Sequence, residues 1–368
     1  MRDQLIGVKL SAGPDKPDIR LETALPMPRP PGNGDNKHTK SDKIILLWNS
    51  FWDMPGWGIG LGGEPFQRLR CPVKNCQISE DRSRLNESDA ILFHIHQLKA
   101  DDRPRFRFPH QRWVFWMLES PGWSHNYQYQ KWNGLFNWTM TYRLDSDVRL
   151  YYGRYWERPS VLKRDLNEVV KSKSRLIAWI SSNCQTHSRR FEYVTELEKY
   201  IPIDKYGRCG NMTCKKEWDK DDQACLKMVG RMYKFYLSFE NAFCKDYVTE
   251  KYFKIIPLDT VPVVRGAADY SKFGPPQSYV NAADFRSPKE LAGFLIDLDK
   301  NDTKYIQYLE TKNKFDGTGY FGVKWLPSWC ELCAKLNNDS EPRKTYERID
   351  KWWSQSDCAA KNDISNGE

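Results

Sequence analysis

No apolar run in the 368-residue sequence approaches the ~18 residues of a membrane span; Ile44-Ile45-Leu46-Leu47-Trp48 is typical of the longest. The opening MRDQLIGVKL lacks the apolar core of a signal peptide. Gly-x-Gly-x-x-Gly is absent, and no phosphate-binding P-loop is supported. Gly58-x-Gly60-x-Gly62-Gly63 opens no obvious helix and reads as a loop. There is no internal repeat. Lys and Arg, 57 in all, are interleaved with 48 Asp and Glu, so a net charge of +9 comes without a basic block. Such a balance fits an anionic ligand and does not specify nucleic acid, although the aromatics would permit base stacking.

What is abundant is aromatic and cysteine. Fifteen Trp, 19 Tyr and 17 Phe within 40% hydrophobic residues describe a folded chain of about two domains, not a disordered one or a coiled coil. Ten cysteines and five Asn-x-Ser/Thr sequons, at Asn86, Asn137, Asn211, Asn301 and Asn338, together point to an oxidising, secretory compartment. Cys71-x4-Cys76 and Cys330-x2-Cys333 admit either disulfides or a four-cysteine zinc site, and the sequons favour disulfides.

Residues 1–42 hold six prolines without periodic apolar pattern and read as a stem. An α/β domain is expected over 43–165, with strands at Lys43, Ala90–His96, Arg112–Leu118 and Leu135–Tyr142. After a polar stretch around 154–173, a second is expected over 166–330. There, strands Leu176–Ser182, Ile201–Tyr206, Tyr233–Glu240 and Val261–Val264 alternate with helices at Ser188–Lys199 and about Asp246–Ile256. Ser287-Pro288-Lys289-Glu290 caps a further helix. Alternation of this kind argues for parallel, doubly wound sheets. A C-terminal segment, 331–368, follows.

The chemistry concentrates in YKFYLSFENAFCKDYVTEKYFK, residues 233–254. A helix from Asp246 would place Tyr247 and Lys251 on one face with Glu250 alongside. Lys251 near a helix start suits a diphosphate, and a neighbouring carboxylate suits a ribose diol. Arg189-Arg190 offers a second cation on the preceding helix.

YLSFEN…KDYVTEKYF followed by VPVVRG resembles the donor-binding signature of the α1,3-fucosyltransferases. WVFWMLESP, NWTMTYRLDSD, SSNC…RRFEYVTEL, Tyr206-Gly207-x-Cys209-Gly210, SPKELAGFL and Cys330-x-x-Cys333 match in the same order, across roughly residues 70–336. The resemblance implies two Rossmann-like domains facing a cleft (the GT-B architecture) and inverting transfer from GDP-fucose. It implies Glu119 of the Glu-Ser-Pro motif as general base, and Arg190 and Lys251 on the phosphates. Glu250 falls to the ribose, with Tyr247, Glu240 and Asn241 lining the donor pocket.

No essential metal is implied, with Mn or Mg at most stimulatory. Asp145-x-Asp147, a metal-diphosphate pattern in the other large glycosyltransferase fold, falls at the domain interface here. The expected partners are GDP-fucose and an N-glycan or glycoprotein acceptor, with no nucleic acid. The expected site is the Golgi lumen, the protein anchored by an N-terminal helix outside this sequence. The cysteine pattern is most similar to enzymes acting on the innermost N-glycan GlcNAc, in invertebrates or plants. Lewis-type relatives carry His-His-Arg-Asp where this chain has His94-Ile95-His96-Gln97, yet Glu119-Ser120-Pro121 is more Lewis-like. An inactive sugar- or polyanion-binding homologue is the non-enzyme alternative. The same resemblance implies that Cys330 and Cys333 bridge back to Cys71 and Cys76.

Overall fold

The computed structural model describes residues 42–99, 101–121, 129–213, 223–318, 326–354, 358 and 363–364. The expected stem, Cys214 and Trp325 lie outside them.

The first sheet runs β1 (Lys43–Leu47), β2 (Cys76–Ser79), β3 (Ala90–His94), β4 (Arg112–Met117), β5 (Trp138–Thr141) and β6 (Val148–Arg149). Its order is β2-β1-β3-β4-β5-β6 and every pairing is parallel. β3 and almost all of β1 and β4 are buried, as expected of a parallel sheet covered on both faces. β7 (Arg154–Glu157) leaves this sheet and pairs antiparallel with β13 (Phe315–Thr318).

The second sheet comprises β8 (Arg175–Ile180), β9 (Ile203–Tyr206), β10 (Tyr233–Phe239), β11 (Val261–Arg265) and β12 (Val280–Asn281). These are parallel in the order β12-β11-β10-β8-β9. The chain winds from β8 outward to β9, then returns to place β10 on the other side of β8. That reversal is a topological switch point, and it opens a crevice beyond the carboxyl ends of β8 and β10.

The helices used below are α1 (Arg190–Leu197), α2 (Glu250–Phe253), α3 (Pro288–Asp299), α4 (Asp302–Asn313) and α5 (Leu326–Leu336). α3 starts as its sequence predicts: Ser287 Oγ accepts from Glu290 N and Pro288 occupies the first turn. The Glu290 carboxylate reaches one residue further back than a capping box requires, to Arg286 N at 2.9 Å. α4 carries a weaker apolar stripe and was not legible in the sequence. Among the described residues no helix is long and apolar enough to cross a membrane.

The chain's end closes on the first sheet. α5 carries Cys330 and Cys333 about one turn apart. These form Cys71–Cys330 and Cys76–Cys333, the expected pairing. Cys184–Cys209 and Cys244–Cys358 are also formed, and Cys225 is disulfide-bonded. The two long-range bridges are interleaved along the chain and share almost the whole of their loops. Once either has closed its loop of more than 250 residues, the other closes only a small one. In the chain-entropy model, removing one should cost about 3 kcal/mol and removing both about 8 kcal/mol, more than twice the single loss. Denaturant titration of Cys71→Ser/Cys330→Ser, Cys76→Ser/Cys333→Ser and the quadruple variant measures this; simple additivity would contradict the shared loop.

The sequons are not equivalent. Asn86, Asn211, Asn301 and Asn338 are exposed. Asn137 is buried: its Nδ2 donates to Lys344 O at 2.8 Å and its Oδ1 accepts from Trp113 N at 2.9 Å. Four sequons, not five, are open to modification on the folded chain.

Candidate functional site

The two loops at the second switch point are built to approach each other. After β8 the chain passes Ser181, Asn183 and Cys184. After β10 it passes Glu240 and Asn241. Arg190, the first residue of α1, spans them: Nη1 donates to Phe239 O at 3.0 Å and Nη2 to Asn183 O at 3.1 Å. It is 5% exposed, and its Nε has no hydrogen-bond partner among the described residues. The Oδ1 of Asn241 is likewise buried without a partner. Unpaired buried polar atoms are rare in folded proteins, and two at one crevice mark a place where a polar ligand would complete the bonding.

The loop after β9 is drawn to the same crevice by Cys184–Cys209. Gly207 there has φ +85° and lies so close to β8's end that a Cβ would meet Ser181 O at 2.5 Å. Only glycine satisfies both conditions.

Glu240 is completely buried, so it underlies the pocket instead of lining it as the sequence suggested. Its carboxylate accepts from Thr249 N and Thr249 Oγ1, both at 2.8 Å, and pairs with Lys251 Nζ at 3.3 Å. Thr249 Oγ1 in turn accepts from Lys251 Nζ at 2.8 Å, and Glu250 Oε1 stands 3.3 Å from the ammonium. Burial by itself would lower the Lys251 pKa, but Glu240, Glu250 and Glu119 together raise it, so the ammonium stays charged. Burial raises the Glu240 carboxyl above its ordinary range, with Lys251 opposing. Thr249, which fixes this pair, had no signal in the sequence beyond its place in the motif.

The helix expected from Asp246 to Ile256 is a single turn, α2. Asp246 adopts φ +58°, and Tyr247 N bonds Cys244 O while Cys244 is tied to Cys358, so the backbone turns before it can coil. Tyr247 and Lys251 therefore do not share a helical face. With four residues, α2 also lacks the aligned amides that the diphosphate argument assumed. Lys251 acts from a side-chain lattice.

That segment packs on the first sheet. The Tyr247 ring lies tilted 4.8 Å from that of Tyr142 and edge-on 6.0 Å from that of Tyr152, and Asp246 Oδ2 accepts from Leu144 N at 3.1 Å. Tyr152 OH donates to Leu118 O at 2.8 Å, immediately before Glu119. Glu119 lies two residues beyond β4, half-buried. Its charge reaches Tyr142, Tyr152, Tyr247 and Lys251: burial first, then charges that include Glu119, raise all three phenols well above their ordinary range. Ser120 Oγ and Tyr142 OH are buried without hydrogen-bond partners among the described residues. The structure thus brings Glu119 from one sheet to the same cleft as Lys251, Glu250, Tyr247, Asn241 and Arg190 from the other.

Asp145 serves the interface between the two halves, and Asp147 ties the C-terminal segment to β5. Asp145 accepts from Arg143 and Lys245, at 2.7 and 3.0 Å. Asp147 accepts from Thr139 N at 2.9 Å and Tyr346 OH at 2.9 Å, and pairs with Lys344. Among the described residues no group of three or more His, Cys, Asp or Glu side chains has metal-binding geometry. Arg265, at the end of β11, is a residue that sequence reasoning passed over. It is 2% exposed, donates to Ser188 O at 2.9 Å and pairs with Asp363 at 2.7 Å.

His94 ends β3 of the first sheet. Its ring packs between Phe51 at 4.9 Å and Trp116 at 5.3 Å, and Nδ1 donates to Ser50 O at 3.0 Å. Burial pushes its pKa down to about 3, so the folded chain keeps it neutral while the unfolded chain protonates it below about 6.5. Stability from this residue is complete above pH 6.5 and is lost as pH falls from there toward 3, by about 1.4 kcal/mol per unit. Urea midpoints from pH 7 to 4 should fall about one proton's worth less steeply in His94→Gln; identical slopes would reject the assignment.

The family description "Fucosyltransferase, N-terminal" matches residues 40–153, and "Glycosyltransferase family 10 (fucosyltransferase) C-term" matches residues 170–352. The chain is 34% identical over 349 residues to Alpha-(1,3)-fucosyltransferase C of Drosophila melanogaster, covering 87% of this chain and 80% of that one. It is 36% identical over 320 residues to Glycoprotein 3-alpha-L-fucosyltransferase A of the same organism, covering 84% of this chain but 60% of the relative. A crystal structure of an alpha1,3-fucosyltransferase with GDP-fucose superposes with a TM-score of 0.53 at 17% identity, over 84% of this chain and 95% of that one. That likeness shows a shared α/β fold with parallel sheets.

Proposed function

Because the chain belongs to glycosyltransferase family 10, the fucosyltransferases, we propose that it transfers L-fucose with inversion from GDP-fucose to the 3-hydroxyl of a GlcNAc residue. The observation that carries this reading is the convergence of Glu119 and Lys251 on one cleft from two different sheets. In this reading Glu119 removes the proton of the acceptor hydroxyl as its oxygen attacks the anomeric carbon. Lys251, with Arg190, stabilises the charge that gathers on the departing GDP. Glu250 takes the ribose, and Tyr247 and Asn241 border the donor. Glu240 positions Lys251 through Thr249. All the groups this mechanism needs are side chains, so no resident metal enters it.

For the acceptor we favour the innermost GlcNAc of an N-glycan core. The cysteine pattern supports it, as does a relative named as acting on glycoproteins. The Glu119-Ser120-Pro121 sequence favours the second reading, an antennal GlcNAc of Lewis type. Disulfides and exposed sequons support a lumenal, Golgi setting.

Mass spectrometry of a defined N-glycan panel with GDP-fucose, run with and without EDTA, tests these points. Fucose is expected on the core GlcNAc in both conditions. Antennal fucose alone would select the Lewis reading, and loss under EDTA that Mn reverses would demand a metal. No transfer to any glycan would leave the inactive homologue.

A further inference from the structure

The sequence as a whole has no basic block, but Arg103–Arg112 (RPRFRFPHQR) holds four arginines and no carboxylate. It leads into the amino end of β4, the end opposite Glu119. Seven residues of chain, mostly strand, separate Arg112 from Glu119, so the two lie about 20 Å apart. The C-terminal segment returns to this place and encloses an open cavity of about 430 Å³. Arg107, Arg112, Arg343 and Lys344 line it, with Glu347 as its one carboxylate.

Lys344 is occupied by Asp147, and Glu341, whose charge acts on Arg112 from a distance, is paired with Lys335. Among the described residues none of the three arginines makes an ion pair. Arg107 donates to Leu135 O at 2.9 Å and to Asn137 Oδ1, and Arg112 reaches only Glu341 O, at 3.5 Å. Burial, then repulsion by Arg112, lowers the Arg107 pKa; burial, then repulsion by Arg343, lowers that of Arg112. Like charges are being held together against their repulsion. Aromatic rings do the holding: Trp113 lies 5.0 Å from the Arg107 guanidinium and Trp138 5.5 Å from that of Arg112. Fixed guanidinium forks match the oxygens of sulfate and phosphate. Phe108, one residue beyond Arg107, lines the same cavity and adds an apolar ring to it.

We propose that this cavity binds a sugar bearing a sulfate or phosphate ester, its oxyanion on Arg107, Arg112 and Arg343 and its apolar face against Phe108. The site is separate from the transfer cleft and lies where the C-terminal segment docks.

Isothermal titration of the full chain, in low salt without phosphate buffer, tests it. The probes are a sulfated disaccharide, a monosaccharide phosphate, the unsulfated disaccharide and sodium sulfate. At least one ester is expected to bind about tenfold more tightly than sodium sulfate, with no binding of the neutral sugar. Arg112→Gln/Arg343→Gln should lose at least tenfold in ester affinity while fucosyl transfer is unchanged. Phe108→Ala should weaken only the esters, and Lys289→Gln should change nothing. If Arg112→Gln lowers stability, Arg343→Gln by itself, at an exposed position, carries the test. Equal affinity for sodium sulfate and both esters would overturn the sugar assignment and leave a free oxyanion site. Absence of binding by every probe, or binding unchanged in the arginine variants, would overturn the proposal.

Discussion

Glu119→Gln is expected to reduce fucosyl transfer by roughly a hundredfold or more while GDP affinity stays within a few-fold of wild type. The amide keeps the shape of the carboxylate and cannot accept the acceptor's proton. Its charge does contribute to Lys251, but Glu240 and Glu250 contribute more, so the ammonium and its hold on the diphosphate should persist. Side-chain packing beside it rests on Tyr152 and Leu118, which the substitution leaves alone. Turnover above about a tenth of wild type would remove Glu119 from the role of sole base.

Lys251→Ala is expected to lower kcat/KM for the donor by roughly 10–100-fold, the loss of one charge-assisted contact of ~1.5–3 kcal/mol. A second effect accompanies it. Glu240 is 0% exposed, so without Lys251 its carboxylate is left buried with only Thr249 as partner. Stability should therefore fall as well. The two effects separate in a double variant: Lys251→Ala/Glu240→Gln should recover stability and leave donor use impaired. Recovery of donor use would mean that Lys251 serves only to neutralise Glu240. Arg190→Ala should weaken GDP too, with a larger structural share, because Arg190 joins Phe239 O to Asn183 O across the switch point. Unchanged GDP affinity in both single variants would dismiss the phosphate assignment.

The sequence by itself determined the elements whose apolar residues repeat with the period of a strand or helix. Lys43–Leu47, Arg112–Met117 and Tyr233–Phe239 are strands where their β-branched and aromatic runs place them, and α3 starts at its cap. It also carried the site motif, because Glu119, Arg190 and the 240–251 segment follow directly on strand ends or open the next helix. Tertiary structure decided the rest. The expected helix at Asp246 is one turn because a left-handed residue and the Cys244–Cys358 bridge redirect the chain, and neither is a local propensity. Glu240 lies beneath the pocket because its Thr249 and Lys251 partners return from the following loop. The meeting of Glu119 with Lys251, the burial of the Asn137 sequon and the gathering of Arg112 with Arg343 all join residues more than 100 positions apart. Such pairings depend on how two sheets and a returning C-terminal segment pack, and no periodicity along the chain encodes them.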